Sequence, residues 1–115
     1  MDIPKNNIFQ NLPSQLPDEV FEIIQETSNL RIERIISRGH VSQGGYWYDQ
    51  DWHEWVILLA GFAKIEFEDP NETVELNPGD YINIPMHCRH RVIETSTENE
   101  AVWLAISYNS DDSNS

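Results

Sequence analysis

The sequence is poor in cysteine, in basic residues and in long apolar runs, and each shortage excludes a class of protein. It has one cysteine, Cys88, so no disulfide can form within the chain. Seven Lys and Arg residues stand against 20 Asp and Glu residues, for a formal net charge of −13. A protein that neutralises phosphates has the opposite bias, so we expect no nucleic-acid partner.

Apolar runs are short throughout the chain. No segment approaches the roughly 20 apolar residues of a membrane span, and the first residues lack an apolar run of signal-peptide length. We therefore expect no membrane partner. Together with the single cysteine, this favours a reducing, cytoplasmic location.

The length of 115 residues fits one domain that can bury a core of its own. We predict three parts: an N-terminal extension with a short helix at 1–29, a β barrel at 30–108 and a disordered tail at 109–115. The tail is expected to be disordered because it contains only Asp, Asn and Ser.

The helix is predicted over 17–24. Pro17 followed by two acidic residues suits the first turn of a helix. Val20, Phe21, Ile23 and Ile24 would then give it one apolar face.

From residue 30 onward the hydrophobic period becomes that of β-strands. The clearest case is the alternation that places Ala63, Ile65 and Phe67 on one face. Gly- and Pro-containing turn signals separate the short apolar segments, and no helical pattern intervenes. These features predict an all-β sandwich or barrel. The predicted strands cover 30–36, 55–59, 62–68, 73–76, 81–84, 89–95 and 101–107.

Two short motifs with defined spacing stand in the barrel segment. Glu54 is followed by six residues and Gly61; Gly79 is followed by five residues, then Pro85, with His90 five positions further on. This pair of motifs resembles the cupin superfamily, particularly its small single-domain members. The resemblance implies a double-stranded β-helix, or jelly-roll barrel, with Glu54 and His90 in an internal pocket. It also implies a homodimer.

Metal-binding cupins carry two further histidines just ahead of the glutamate, and this sequence does not have them. Those positions fall on Tyr48 and Gln50, or on Trp47 and Asp49, depending on the loop length. Only Glu54 and His90 match the family's ligands. An oxygen-rich set with one imidazole tolerates manganese, iron or zinc, and imidazole also suits nickel.

The candidate site therefore has two groups of residues. The metal candidates are Glu54, His90, Gln50, Asp49 and His87, of which His87 shares a loop with His90. Tyr48 and Trp47 are pocket candidates, and Trp52 is also expected near the mouth. Trp103 is expected in the core, because aromatic side chains fill small β cores.

Three hypotheses about function remain open at this point. In the first, a divalent metal held by Glu54 and His90 acts on a small organic substrate, in a reaction of the dioxygenase or isomerase type. In the second, the pocket is metal-free and binds a small-molecule ligand without catalysis. In the third, the pocket is vestigial and the domain acts through its oligomer, because a second copy can cover the edges of an open barrel.

Overall fold

The structure is a computed structural model, which describes residues 2–109. The predicted disordered tail lies, apart from Asn109, outside the described residues. Within the described range the chain forms eight β-strands and no helix, and therefore has no helix there that could cross a membrane. The strands are β1 (Val20–Glu26), β2 (Leu30–Ser37), β3 (His53–Ala60), β4 (Ala63–Phe67), β5 (Glu72–Leu76), β6 (Tyr81–Ile84), β7 (His90–Thr95) and β8 (Ala101–Tyr108).

The strands form two sheets. One has five strands in the order β1-β2-β8-β3-β6, and the other has three in the order β5-β4-β7. All the strand pairs are antiparallel. This confirms the predicted all-β, double-sheet architecture.

The helix predicted over 17–24 is wrong, because most of that segment belongs to strand β1. Residues 20–23 pair in register with residues 36–33 of β2. β-Branched residues favour a strand once a partner strand is available, and the partner is fixed here by a buried charge. Arg34 of β2, only 7% exposed, bonds the Glu22 carboxylate and donates to the carbonyl oxygens of Ile8 and Gln10.

The core lies between the two sheets. Inward-facing side chains of β3 and β8, among them Val56, Leu58 and Trp103, pack against Ile65 and Leu76 of the smaller sheet. Ala63, Ala101 and Ala105 are fully buried among them. These small residues fill one part of the space between the sheets.

The turn from β3 to β4 depends on Gly61. Its φ is +85°, and a Cβ atom there would lie 2.7 Å from the Ala101 Cα, the Glu100 carbonyl oxygen and the Ser96 Oγ. Only glycine fits both the left-handed backbone and the close approach. The glycine of the first motif is therefore a packing residue that sets where β3 ends.

Candidate functional site

A cavity of about 270 Å³ opens between the two sheets. Its walls are mainly apolar and aromatic, with a smaller set of polar groups. The apolar part is formed chiefly by Phe21, Ile35, Val56, Ile65, Ile84, Val92 and Trp103. The polar part includes Arg31, Glu33, Tyr48, Gln50, Glu54, His90 and Ser107. A mostly apolar cavity with a few convergent polar groups is typical of a small-molecule site.

Strand register places Glu54 in this cavity. Glu54 lies opposite Ser107 of β8 and Ile84 of β6, and Ser107 lies opposite Arg31 of β2. Side chains in such a cross-strand row point to the same face of the sheet. Arg31, Ser107, Glu54 and Ile84 therefore form one row, and all four line the cavity.

His90 enters from the other sheet. It is the first residue of β7, and its backbone exchanges two hydrogen bonds with Tyr48, at 2.8 and 3.1 Å. The imidazole packs between the rings of Tyr48 and Phe67, at centroid distances of 5.7 and 6.2 Å. Its Nδ1 is 2.9 Å from the Cys88 carbonyl oxygen, which can only accept, so Nδ1 carries a proton.

With Nδ1 protonated, the Nε2 atom of a neutral His90 is an acceptor, and it faces Glu54. The distance from His90 Nε2 to Glu54 Oε1 is 3.9 Å, and the two side chains are 6% and 14% exposed. This distance is too long for a direct hydrogen bond. A ligand atom placed between the two groups would contact both.

The cavity shifts both pKa values toward the uncharged forms. Burial raises the pKa of Glu54 to about 7, with a smaller contribution from the nearby Glu33 charge that Arg31 partly offsets. Burial also lowers the pKa of His90, against the opposing effect of its hydrogen bond to Cys88. Near neutral pH, Glu54 is thus shared between its acid and carboxylate forms, while His90 is a neutral imidazole.

Of the candidates from the sequence, Glu54, His90, Gln50 and Tyr48 line the cavity. Burial is the main cause of a raised pKa for the Tyr48 hydroxyl, and the Glu19 charge adds to it. Because its proton is held tightly, the hydroxyl remains a hydrogen-bond donor at neutral pH.

The other three candidates lie elsewhere. Asp49 and His87 bond each other at 2.8 Å, with side chains 48% and 62% exposed, and neither is among the cavity-lining residues. Trp47 is also absent from the lining, and its ring lies 4.0 Å from the Arg91 guanidinium carbon. The structure therefore brings together four of the seven predicted residues and places three outside the cavity.

The side chains present fit a divalent metal poorly. Residues 2–109 contain no group of three His, Cys, Asp or Glu side chains that could hold an ion. Glu54 and His90 supply two donors, and the amide of Gln50 is a weak neutral addition. A catalytic site ordinarily has three protein ligands, so we derive no chemical step through a metal.

Sequence reasoning missed several cavity residues, chief among them Arg31, Glu33 and Phe21. The alternation of β2 could have predicted Arg31 and Glu33, because they lie on the same face of the strand as the apolar Ile35. Trp103, expected in the core, is 4% exposed and also forms part of the cavity wall. Its burial is consistent with the expectation, and its contact with the cavity is additional.

Comparison with known proteins places this geometry in a family. A crystal structure from Ralstonia eutropha JMP134, provisionally named a mannose-6-phosphate isomerase, is 41% identical with a TM-score of 0.90. That match covers 94% of this chain and 100% of the other. A cupin superfamily protein from Desulfitobacterium hafniense DCB-2 has a TM-score of 0.70 at 15% identity, covering 86% of this chain and 84% of its own.

A conserved protein of unknown function from Streptococcus pyogenes has a TM-score of 0.74 at 14% identity, covering 96% of this chain and 91% of the other. At such identities the likeness shows the fold alone. A search of curated proteins found no match. The model of the cupin domain matches residues 38–107, which include Glu54, Gly61, Gly79, Pro85 and His90. The resemblance seen in the two motifs is confirmed, and the chain belongs to the cupin family.

Proposed function

We propose that this cupin binds a small organic molecule between its two sheets and transfers protons to and from it with Glu54 and His90, as isomerases do. The observation that carries the proposal is the 3.9 Å separation of His90 Nε2 and Glu54 Oε1 across a mainly apolar cavity. The provisional isomerase name of the Ralstonia protein supports the same reaction class.

The two side chains suit opposite roles in proton transfer. The unprotonated Nε2 of His90 can take a proton from a hydroxyl-bearing carbon next to a carbonyl group. The electron pair of that C–H bond forms the C=C bond, and the carbonyl oxygen takes the proton of the Glu54 carboxyl to give an enediol. His90 then returns its proton to the former carbonyl carbon, while the hydroxyl on the carbon that was first deprotonated gives its proton to the Glu54 carboxylate and becomes the new carbonyl, which completes an isomerisation.

The surroundings favour this exchange at neutral pH. A general acid or base works best when its pKa is near the working pH, and burial brings the pKa of Glu54 to about 7. The lowered pKa of His90 helps its imidazolium to return the proton. Tyr48 and Gln50 line the same cavity and offer hydrogen bonds that would orient the oxygens of a substrate.

A test need not begin with a known substrate. The protein is incubated in D₂O with aldoses, ketoses, their phosphates and amino sugars, and deuterium entry next to the carbonyl is followed by proton NMR. We expect at least one compound to exchange. Glu54→Gln should slow that exchange by about 100-fold or more, as should His90→Gln. Glu75→Gln, on the exposed part of β5, is the control with the same change of charge.

The outcomes separate the competing hypotheses. Exchange that is unaffected by Glu54→Gln and His90→Gln would overturn the proposed roles. Binding of a compound without any exchange would favour the non-catalytic module. A vestigial pocket predicts neither binding nor exchange.

The metal-dependent alternative rests on the same pair, because a hydrogen-bonded Nδ1 with a free Nε2 is also how histidines bind metals. It is tested by metal analysis of untagged protein incubated with manganese, iron, nickel or zinc. Stoichiometric metal that is lost in His90→Ala would favour this alternative. We expect proton exchange to survive treatment with a chelator.

We also propose that the protein is cytoplasmic and has no nucleic-acid partner. The free thiol of Cys88 is consistent with the reducing cytoplasm. The excess of acidic residues argues against nucleic acid, and binding of labelled DNA at low salt would contradict it.

A further inference from the structure

The charged side chains that face the cavity are mostly acidic. Glu19, Glu33 and Glu54 line it, and Arg31 is the lining residue with a fixed positive charge. Glu19 accepts a hydrogen bond of 2.5 Å from the Ser37 hydroxyl, a neutral partner that leaves its charge in place. Glu19 also contributes to the raised pKa of Tyr48, so its field reaches the residue beside His90.

The positive charge of Arg31 is offset by a neighbouring acid. Its Nε, which is buried and makes no hydrogen bond, lies 3.7 Å from Glu33 Oε1, and its guanidinium lies over the Trp52 ring at 5.8 Å from the centroid. The backbones of Arg31 and Glu54 are separated by strand β8, a distance of two strand spacings or about 9–10 Å. The Arg31 charge lowers the pKa of Glu54 by less than the Glu33 charge raises it, so Arg31 does not compensate the Glu54 carboxylate, and the neighbouring His90 is neutral.

The cavity wall itself suits a cation with an apolar body. The aromatic rings of Phe21, Tyr48, Trp52 and Trp103 line it. Aromatic faces attract cations electrostatically, and Trp52 already receives one from Arg31. A phosphate or carboxylate on the ligand would instead meet three acidic side chains against one arginine.

We propose that the molecule bound beside Glu54 carries a positive charge, as an ammonium group on a small, partly apolar body. This inference rests on the proposed function, since it names the class of molecule that the same cavity takes. The ammonium group would be attracted by the carboxylates of Glu19 and Glu33, which leaves the Glu54 carboxyl free to donate its proton and His90 Nε2 free to accept one. Phosphate esters are then poor ligands for this pocket.

The test uses three probes with the same body and different charge: benzylammonium, benzyl alcohol and benzoate. Affinities are measured by ligand-observed NMR at pH 7 and moderate salt. We expect benzylammonium to bind at least about tenfold more tightly than benzyl alcohol, with benzoate the weakest. Equal or tighter binding of benzyl alcohol or benzoate would overturn the inference.

Two variants locate the effect. Glu33→Gln removes one acid from the cavity and should reduce the preference for benzylammonium several-fold. Glu75→Gln removes the same charge from β5, outside the lining, and should leave the preference unchanged. An equal loss in both would mean that the preference arises from the net charge of the chain, which would contradict a cation site.

The two proposals fail in different ways. Selection of benzoate with intact proton exchange on a carbonyl compound would overturn the cation site and leave the roles of Glu54 and His90 standing. Tight binding of benzylammonium with no exchange on any compound would overturn the proton-transfer roles of Glu54 and His90 and leave the cation site standing. Absence of binding by all three probes would contradict the inference.

Discussion

At the scale of single residues, the most consequential feature is a carboxyl group held away from water. Glu54 is 14% exposed, its pKa is raised to about 7, and the Glu33 charge opposes its ionisation more than the Arg31 charge favours it. Such a group destabilises the folded chain once it ionises. A bound ligand that interacts with the Glu54 carboxyl group would offset this cost.

This has a consequence for stability that can be measured. Glu54 binds its proton more tightly in the folded chain than in the unfolded chain, where its pKa is near 4.5. Its contribution to the free energy of unfolding therefore falls as pH rises from about 4.5 to about 7, by roughly 3 kcal/mol at most. Glu54→Gln should remove this fall, so that the variant exceeds the wild type at pH 8 but not at pH 4.5.

The measurement is urea unfolding across that pH range. The difference between wild type and Glu54→Gln isolates Glu54, because the opposite contribution of His90 is present in both to a first approximation. Glu75→Gln should unfold in parallel with the wild type. Parallel curves for Glu54→Gln as well would show that Glu54 ionises normally in the folded chain.

The site residues divide into those that a sequence can reveal and those that it cannot. Glu54 and His90 follow from two motifs. Glu33 does not follow, because it comes near Glu54 only through β8, which lies between their strands. Alternation tells which residues share a face but does not tell which strands are neighbours.

At the scale of elements, the same limit explains the error over residues 17–24. Val20, Phe21, Ile23 and Ile24 satisfy a helical period and, as β-branched or aromatic residues, also suit a strand. The segment is a strand because β2 offers it a free edge and the buried Arg34. Val20 pairs with Ile36 of β2, which lies sixteen residues further along the chain. The local pattern predicts seven of the eight strands. The remaining strand, β1, depends on a partner that is distant in the sequence.

The β3–β4 turn gives a prediction at this scale. Gly61→Ala should destabilise the fold by about 3 kcal/mol or more. The new methyl group would lie 2.7 Å from the Cα atom of Ala101, the first residue of β8, and from the carbonyl oxygen of Glu100 just before it. Gly45→Ala is matched in backbone conformation, with φ of +79° against +85°, but its methyl group would have no atom within 4 Å. It should cost only about 1–2 kcal/mol of backbone strain.

Thermal and urea unfolding of both variants would check this difference. Similar losses would mean that the left-handed backbone alone fixes glycine at position 61. The expected excess in Gly61→Ala would show that close approach of β8 contributes as well.

At the scale of the whole molecule, we propose a homodimer formed along β1. This strand is an edge of the five-stranded sheet, and Phe21, Ile23 and Ile24 on it are 50–56% exposed. A second copy of the same edge, running antiparallel, would pair the free backbone groups and cover these side chains. Because each chain carries a net charge of −13, added salt should strengthen the dimer by screening repulsion.

Analytical ultracentrifugation at low and moderate salt tests this assembly. Ile24→Lys should shift the protein toward monomer while leaving its folded structure intact, because Ile24 is half exposed. Ile93→Lys is the control, as Ile93 is 40% exposed on β7 in the other sheet. A monomeric wild type, or dissociation by Ile93→Lys and not by Ile24→Lys, would contradict an interface along β1.

Glu54 and His90 come from different sheets, and this bears on how such proteins diversify. Glu54 belongs to the five-stranded sheet and His90 to the three-stranded sheet, so their 3.9 Å separation is also a measure of how closely the two sheets pack. A change of side-chain volume in the core can alter that separation while both residues stay the same. Chemistry in this fold can therefore drift through mutations far from the reacting groups, and two chains with identical site residues need not share a reaction.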